Sequence, residues 1–234
     1  MATAALSRPP RTIEYPTSDG KPMAETDHHR DVMFDQIESL KLYYAAQPEV
    51  YVSGNLLLFY EEGNRRKHIS PDVFVVRGVG MRRREYYLLW EEKKSPEVIF
   101  EITSKTTKRE DEGKKRKLYR EVLKVKEYFL FDPFEEYLDP SMQGYRLRGG
   151  EYHPIRLVDG RLPSQVLGLH LERDGQFLRL YDPMTGKWLP TPKDLAAQQK
   201  QRAESEKLRA DSAEAEIARL REELRKVQGN GQKD

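Results

Sequence analysis

Glu97-Val98-Ile99-Phe100-Glu101-Ile102-Thr103, then a basic segment over 109–124, then Glu127-Tyr128-Phe129-Leu130-Phe131-Asp132-Pro133, set the architecture. The first and last runs are short, β-branched or aromatic, and almost wholly apolar, which is the pattern of strands buried on both faces. The segment between them is long enough for a helix. Upstream, Val32, Met33, Ile37, Leu40 and Tyr44 recur at helical spacing, so a helix is expected over 27–46, with Thr26 or Asp27 as its cap and Pro48 beyond its end. Strands are expected at 50–60, at 69–77 (interrupted early by Pro71) and at 86–90. Helix, strands, helix, strand describes an α/β fold with a mixed central sheet flanked by helices.

Further along, Tyr145-Arg146-Leu147 and Tyr152-His153-Pro154-Ile155 surround Gly149-Gly150, and 178–182 with 184–188 repeat that hairpin pattern. This half reads as a small β appendage. Residues 1–22 carry four prolines and few aliphatics, and are expected to form a flexible arm. The folded domain is expected over 23–190, a charged helix over 194–228, and a disordered tail over 229–234. In the helix, Ala210, Ala213, Ile217, Leu220, Leu224 and Val227 alternate spacings of three and four. Two readings of that seam stay open: a solvated amphipathic helix, or a weak coiled coil joining a homodimer.

The chain of 234 residues has no cysteine, so disulfide scaffolds and thiolate metal sites are excluded. No run is long and apolar enough to span a membrane and the N-terminus lacks a secretory pattern, so a cytoplasmic location is expected. The 41 Lys and Arg nearly balance 39 Asp and Glu. That balance hides local bias, because 104–126 holds ten basic residues against four acidic ones. Arg65-Arg66-Lys67 and Arg82-Arg83-Arg84 are two further basic clusters. Such segments, including Lys105, Lys108 and Arg109, suit a polyanion gripped by its phosphates, or are simply solvated faces.

Asp72, ahead of the apolar run Val73-Phe74-Val75-Val76, and Glu101, inside its own apolar run, are the acids that stand out. A carboxylate in a buried strand is costly unless it is paired or holds a cation. Two of them on neighbouring strands either form structural ion pairs or converge on a hard divalent ion such as magnesium or manganese. On the helix that follows, Asp111, Lys115, Leu118, Tyr119 and Val122 share one face. Lys115 is therefore the lysine expected to point at the acids, to orient water or neutralise charge on a phosphate, unless it only pairs with Asp111. His28 and His29, beside Glu25, are a weak metal signal. No phosphate-binding loop, dinucleotide fingerprint or serine-hydrolase elbow is present.

Pro71-Asp72-Val73, then 98–104, then Asp111, Lys115 and Tyr119, then 127–133, in that order and spacing, resemble the Uma-two family of restriction endonucleases, within the PD-(D/E)XK nuclease superfamily. The likeness covers roughly 23–190, and the segment 23–30 also looks familial. The resemblance implies a restriction-endonuclease-like core and magnesium- or manganese-dependent hydrolysis of DNA phosphodiesters. It implies Asp72, Glu101 and the backbone carbonyl of Ile102 as metal ligands, with Glu25, Asp111 and Tyr119 as accessory residues. The superfamily's lysine two positions after the acid is here Thr103. The resemblance therefore implies that Lys115, on the next helix, has taken its place. If it has not, the chain is an inactive nucleic-acid-binding or scaffolding module that assembles through its C-terminal helix.

Overall fold

The computed structural model describes residues 14–18, 26–105 and 107–230. They fall into two compact units that divide between Leu189 and Pro190. The first is a mixed α/β unit. Helix α1 (Asp27–Tyr43) precedes strands β1 (Val50–Ser53), β2 (Leu58–Phe59), β3 (His68–Ile69), β4 (Val73–Arg77) and β5 (Tyr87–Leu88). A single turn α2 (Leu89–Glu92) and strand β6 (Val98–Ile102) follow. A π-helical stretch (Glu110–Lys115) then runs into α3 (Arg116–Glu121) and β7 (Glu127–Phe131). The rest of the unit is β8 (Met142–Arg148), β9 (Glu151–Pro154), β10 (Arg161–Pro163), β11 (His170–Asp174), β12 (Phe177–Asp182) and β13 (Lys187–Trp188).

Six strands form the central sheet in the order β1-β4-β6-β7-β8-β9. Only β6 and β7 run parallel, with Glu101 opposite Leu130 and Ile102 opposite Phe131. The β8–β9 hairpin thus extends the central sheet instead of standing in an appendage. β10 to β13 form a separate antiparallel sheet, whose strands β10 and β11 have no counterpart in the sequence reading. Their weak signal is physical: Arg161, His170, Glu172 and Arg173 interleave with single leucines, so each strand shows only one buried apolar side chain.

Alternation along the central strands divides the core in two. Val73, Val75, Val98, Phe100, Phe129 and Phe131 face α1, and Leu171, Leu178 and Leu180 of the second sheet close the same cluster. Phe74, Val76, Ile99, Tyr128 and Leu130 face the opposite way, against Tyr119, Leu123 and Tyr87. Glu101 shares the parity of Ile99, so its carboxylate points to the side covered by the π-turn and α3.

The expected strand over 69–77 is split. Pro71 has no N–H to give a ladder, and its carbonyl instead accepts from Asn55 N at 2.8 Å. The arm is anchored where it is described. Tyr15 packs 4.9 Å from the Phe59 ring and 5.3 Å from Trp90, and accepts a hydrogen bond from Gly63 N. In the second unit, α4 (Pro192–Asn230) starts earlier than expected. Thr191 and Asp194 each accept the other's backbone N–H, with Pro192 in the first helical position, a reciprocal cap. Leu208, Ile217, Leu220 and Leu224 are exposed on α4. No helix among the described residues is long and apolar enough to cross a membrane.

Candidate active site

Asp72 and Glu101 meet at the end of the β4–β6 pair. Glu101 is 1% exposed, and its two oxygens are engaged separately. Oε1 accepts from the Tyr119 hydroxyl at 2.5 Å, and Oε2 from Lys115 Nζ at 2.9 Å. Lys115 Nζ also stands 3.0 Å from Asp111 Oδ1. The lysine therefore bridges Glu101 and Asp111. Asp72 Oδ2 accepts from the backbone N–H of Ile102 at 2.7 Å. His29 Nε2, from the first turn of α1, lies 3.3 Å from the same oxygen.

The local chain geometry explains this convergence. Asp111, Lys115 and Tyr119 are the fully inward residues of their segment, spaced by four. A π-turn advances more than four residues per turn, so side chains spaced by four stay nearly in line. Val122, expected on that face, is 50% exposed instead, and Leu123 takes the buried position, because α3 ends at Glu121. Thr26 caps α1 by accepting from His29 N at 3.2 Å, which fixes the turn carrying the imidazole. Gly54 is a further contributor that the sequence did not single out. A Cβ there would lie 1.9 Å from the Asp72 carbonyl oxygen, so only glycine lets β1 pass this close.

Electrostatics follow from burial. Burial pushes the Glu101 carboxyl well above the usual carboxylate range; Lys115 opposes this, and the charges of Asp72 and Asp111 reinforce it. Burial likewise raises Asp111 against the opposition of Lys115. For Asp72, burial is outweighed by the hydrogen bond from His29, the charge of Lys115 and the Ile102 N–H, and its carboxyl falls below the ordinary value. Burial opposes the charge on Lys115, but Glu101, Asp111 and Asp72 together hold its ammonium well above the usual lysine range. Burial and Glu101 keep the Tyr119 phenol protonated far beyond neutral pH.

The structure thus gathers Asp72, Glu101, Asp111, Lys115, Tyr119 and the backbone of Ile102. Glu25 lies outside the described residues. Lys105, Lys108 and Arg109 sit on the stretch leaving the C-terminal end of β6, beside Glu101, with Lys105 and Arg109 exposed. The arginine triplet divides. Arg83 is exposed, whereas Arg84 is inward: its guanidinium binds Glu92 at 2.7 Å and stacks 4.1 Å over the Tyr51 ring. Arg82 also binds Glu92, at 2.7 Å.

The family model Uma2, described as "Putative restriction endonuclease", matches residues 4–176. The chain belongs to the Uma2 family. Among solved structures, the chain is similar to "a putative nuclease belonging to DUF820" from Anabaena variabilis ATCC 29413. The two are 18% identical with a TM-score of 0.49, over 67% of this chain and 83% of that one. No curated protein matches the chain. As a Uma2 member this is a restriction-endonuclease-like chain, and the buried carboxylate–lysine cluster is its candidate centre.

Proposed function

We propose that this Uma2 protein hydrolyses DNA phosphodiester bonds as a divalent-metal-dependent endonuclease, with Asp72 and Glu101 as its metal carboxylates. The observation that carries the reading is the meeting of Asp72 and Glu101 at the end of the β4–β6 pair, with Glu101 bound to the buried lysine Lys115. Among the described residues no three Asp, Glu or His side chains are arranged to hold a metal. A magnesium site commonly has only one or two protein carboxylates and completes its shell with water and substrate phosphate. Two carboxylates and the Ile102 carbonyl, all hard oxygen donors, fit magnesium or manganese on that basis. Such an ion supplies Lewis-acid polarisation of the phosphate and a more acidic water.

The chain's own residues do the rest. The Ile102 N–H and His29 orient Asp72, while the Tyr119 hydroxyl orients Glu101. Lys115, kept protonated by three acids, presents an N–H to water or to a phosphate oxygen as charge develops there. Lys105, Lys108, Arg109 and Arg83 attract the backbone from outside the centre. The test is cleavage of plasmid and linear DNA with magnesium, manganese or EDTA by the wild type, Asp72→Asn and Glu101→Gln. Cleavage that needs metal and vanishes in both variants supports the reading. Cleavage retained in both variants sinks it, and DNA binding with no cleavage under any metal favours the binding-module alternative.

A further inference from the structure

Phe134 and Phe177 are 43% and 40% exposed, and neither belongs to a buried core cluster. They come from distant parts of the chain, one from the loop after β7 and the other from the start of β12. His28 lies against both: its ring is 5.2 Å from that of Phe134 and 4.9 Å from that of Phe177. These three rings form an aromatic surface whose α1 member is the residue directly before His29, the side chain in contact with Asp72. Phe134 closely follows Phe131, which pairs with Ile102, so the surface lies at the end of the central sheet that carries the carboxylate centre.

The rings are held firmly. His28 Nε2 lies 2.8 Å from the Gln176 carbonyl, which ties α1 to the β11–β12 turn. The Asp132 carboxylate accepts from Phe134 N at 3.1 Å and from Leu138 N at 2.9 Å, which shapes the loop. Arg173 bonds the carbonyls of Asp132, Pro133 and Gly175, and its guanidinium lies 4.5 Å over the Phe131 ring, so it pins loop and turn together. Exposed apolar rings on a braced loop and turn offer a preorganised flat contact.

We infer that the His28–Phe134–Phe177 surface stacks an unpaired nucleobase of the substrate, so that the protein prefers single-stranded or locally opened nucleic acid over intact duplex. The inference rests on the nuclease reading above. The occupant is chosen by two features. A base has a flat π-face of the right kind for aromatic rings, and that face is open only when the base is unstacked from its neighbours. Lys105, Lys108 and Arg109 follow β6 as Phe134 follows β7, at the same end of this parallel strand pair, so positive charge is available there for the phosphates on either side of such a base.

The test is binding in EDTA at one fixed salt concentration, so that cleavage plays no part. The probe is a short oligonucleotide carrying 2-aminopurine, used as a single strand, as a duplex, and as a duplex with one unpaired bulge. Wild type, Phe134→Ala/Phe177→Ala, Phe134→Trp/Phe177→Trp and the control Phe34→Ala (another exposed phenylalanine) are compared, each checked for an unchanged melting temperature. The expected result is quenching of 2-aminopurine by wild type. The double alanine variant should lose about tenfold in affinity for the single strand and the bulge but keep its duplex affinity, while the tryptophan variant and Phe34→Ala retain wild-type binding. Equal losses on all three ligands, or none, overturn the inference while leaving the nuclease reading intact. Failure of wild type to bind any of them overturns the inference, while the cleavage test decides the nuclease reading separately. A concentration-dependent dimer that the alanine variant abolishes would assign the rings to a second copy of the chain and overturn the inference.

Discussion

Asp72 and Glu101 brace each other through the backbone. The N–H of Asp72 points at Glu101 Oε2 from 3.4 Å, and Asp72 Oδ2 accepts from the N–H of Ile102, the next residue after Glu101, at 2.7 Å. Each acid is thus fixed by the chain segment that carries the other. Strands β4 and β6 are already paired through Val73 and Phe100, so the brace extends their ladder past its last regular pair. Two carboxylates that would repel are held in register by the sheet, and Lys115 supplies the opposing charge.

That arrangement predicts a response to metal in the absence of any substrate. An ion that binds only the folded chain stabilises it by about 2.7 kcal/mol at a hundredfold excess over Kd. Thermal denaturation in EDTA against magnesium or manganese should show the melting temperature rising with metal. Asp72→Asn and Glu101→Gln should each remove most of the rise. A rise that survives in both variants would place the metal elsewhere.

Lys115→Met leaves Glu101 and Asp111 buried without their shared counter-charge. Removing one partner of a buried ion pair costs about 3–5 kcal/mol, so the variant in EDTA should lose about that much stability at neutral pH. The pH dependence has a defined sign. Both carboxyls are raised above their unfolded values by burial, with Lys115 opposing, and without the lysine they rise further. A raised carboxyl stabilises the folded state below its unfolded pKa, and that contribution is lost as pH climbs toward the folded pKa. The deficit of Lys115→Met relative to wild type should therefore shrink as pH is lowered from neutral toward the ordinary carboxylate range. Urea midpoints at several pH values measure it, and a deficit that grows on acidification would refute the account.

Much of this centre was legible in the sequence because it is built from departures from pattern. An acid in Val98–Ile102 and a lysine on the apolar side of a basic helix are both conflicts that a fold tolerates only with a compensating partner. The resemblance supplied the roles, but the positions stood out without it. His29 was less legible, since its link to Asp72 runs from α1 to β4 and no spacing rule connects them. Gly54 left almost no trace, because a close backbone approach is a property of two chain segments, whereas a sequence shows one. The π-turn also escaped detection, and with it the exchange of Val122 for Leu123 on the inner face. Arg84 was misleading in the opposite sense: within a run of three arginines it looks solvated, yet Glu92 and the Tyr51 ring draw it inward.

Gly54→Ala tests the close approach directly. The added methyl would lie 1.9 Å from the Asp72 carbonyl oxygen and 2.7 Å from Ile37 Cδ1, so the Asp72 segment or α1 must shift. Overpacking of this kind costs about 1–3 kcal/mol. A displaced Asp72 should also weaken the metal-induced rise in melting temperature beyond what lost stability explains. An alanine variant with wild-type stability and an unchanged metal response would show that the site does not depend on this contact.

Glu127 is the control that separates structure from chemistry. It is as buried as Glu101, but it sits at the opposite end of the β6–β7 pair, aligned with Val98. Its carboxylate accepts from Arg146 Nε at 2.8 Å, from Gln165 N at 3.0 Å and from the Ser164 hydroxyl, which joins the central sheet to the segment after β10. No metal is needed to explain it, because the arginine and the hydroxyl already satisfy the charge. Glu127→Ala strands Arg146 and several backbone donors, so unfolding stability should fall by about 3–5 kcal/mol with the same denaturant m-value. Nuclease activity per folded molecule and the metal-induced shift should be unaltered. If activity falls while the folded fraction is unchanged, Glu127 has a part in the chemistry, and its satisfied pairing with Arg146 and Ser164 would not mark it as purely structural.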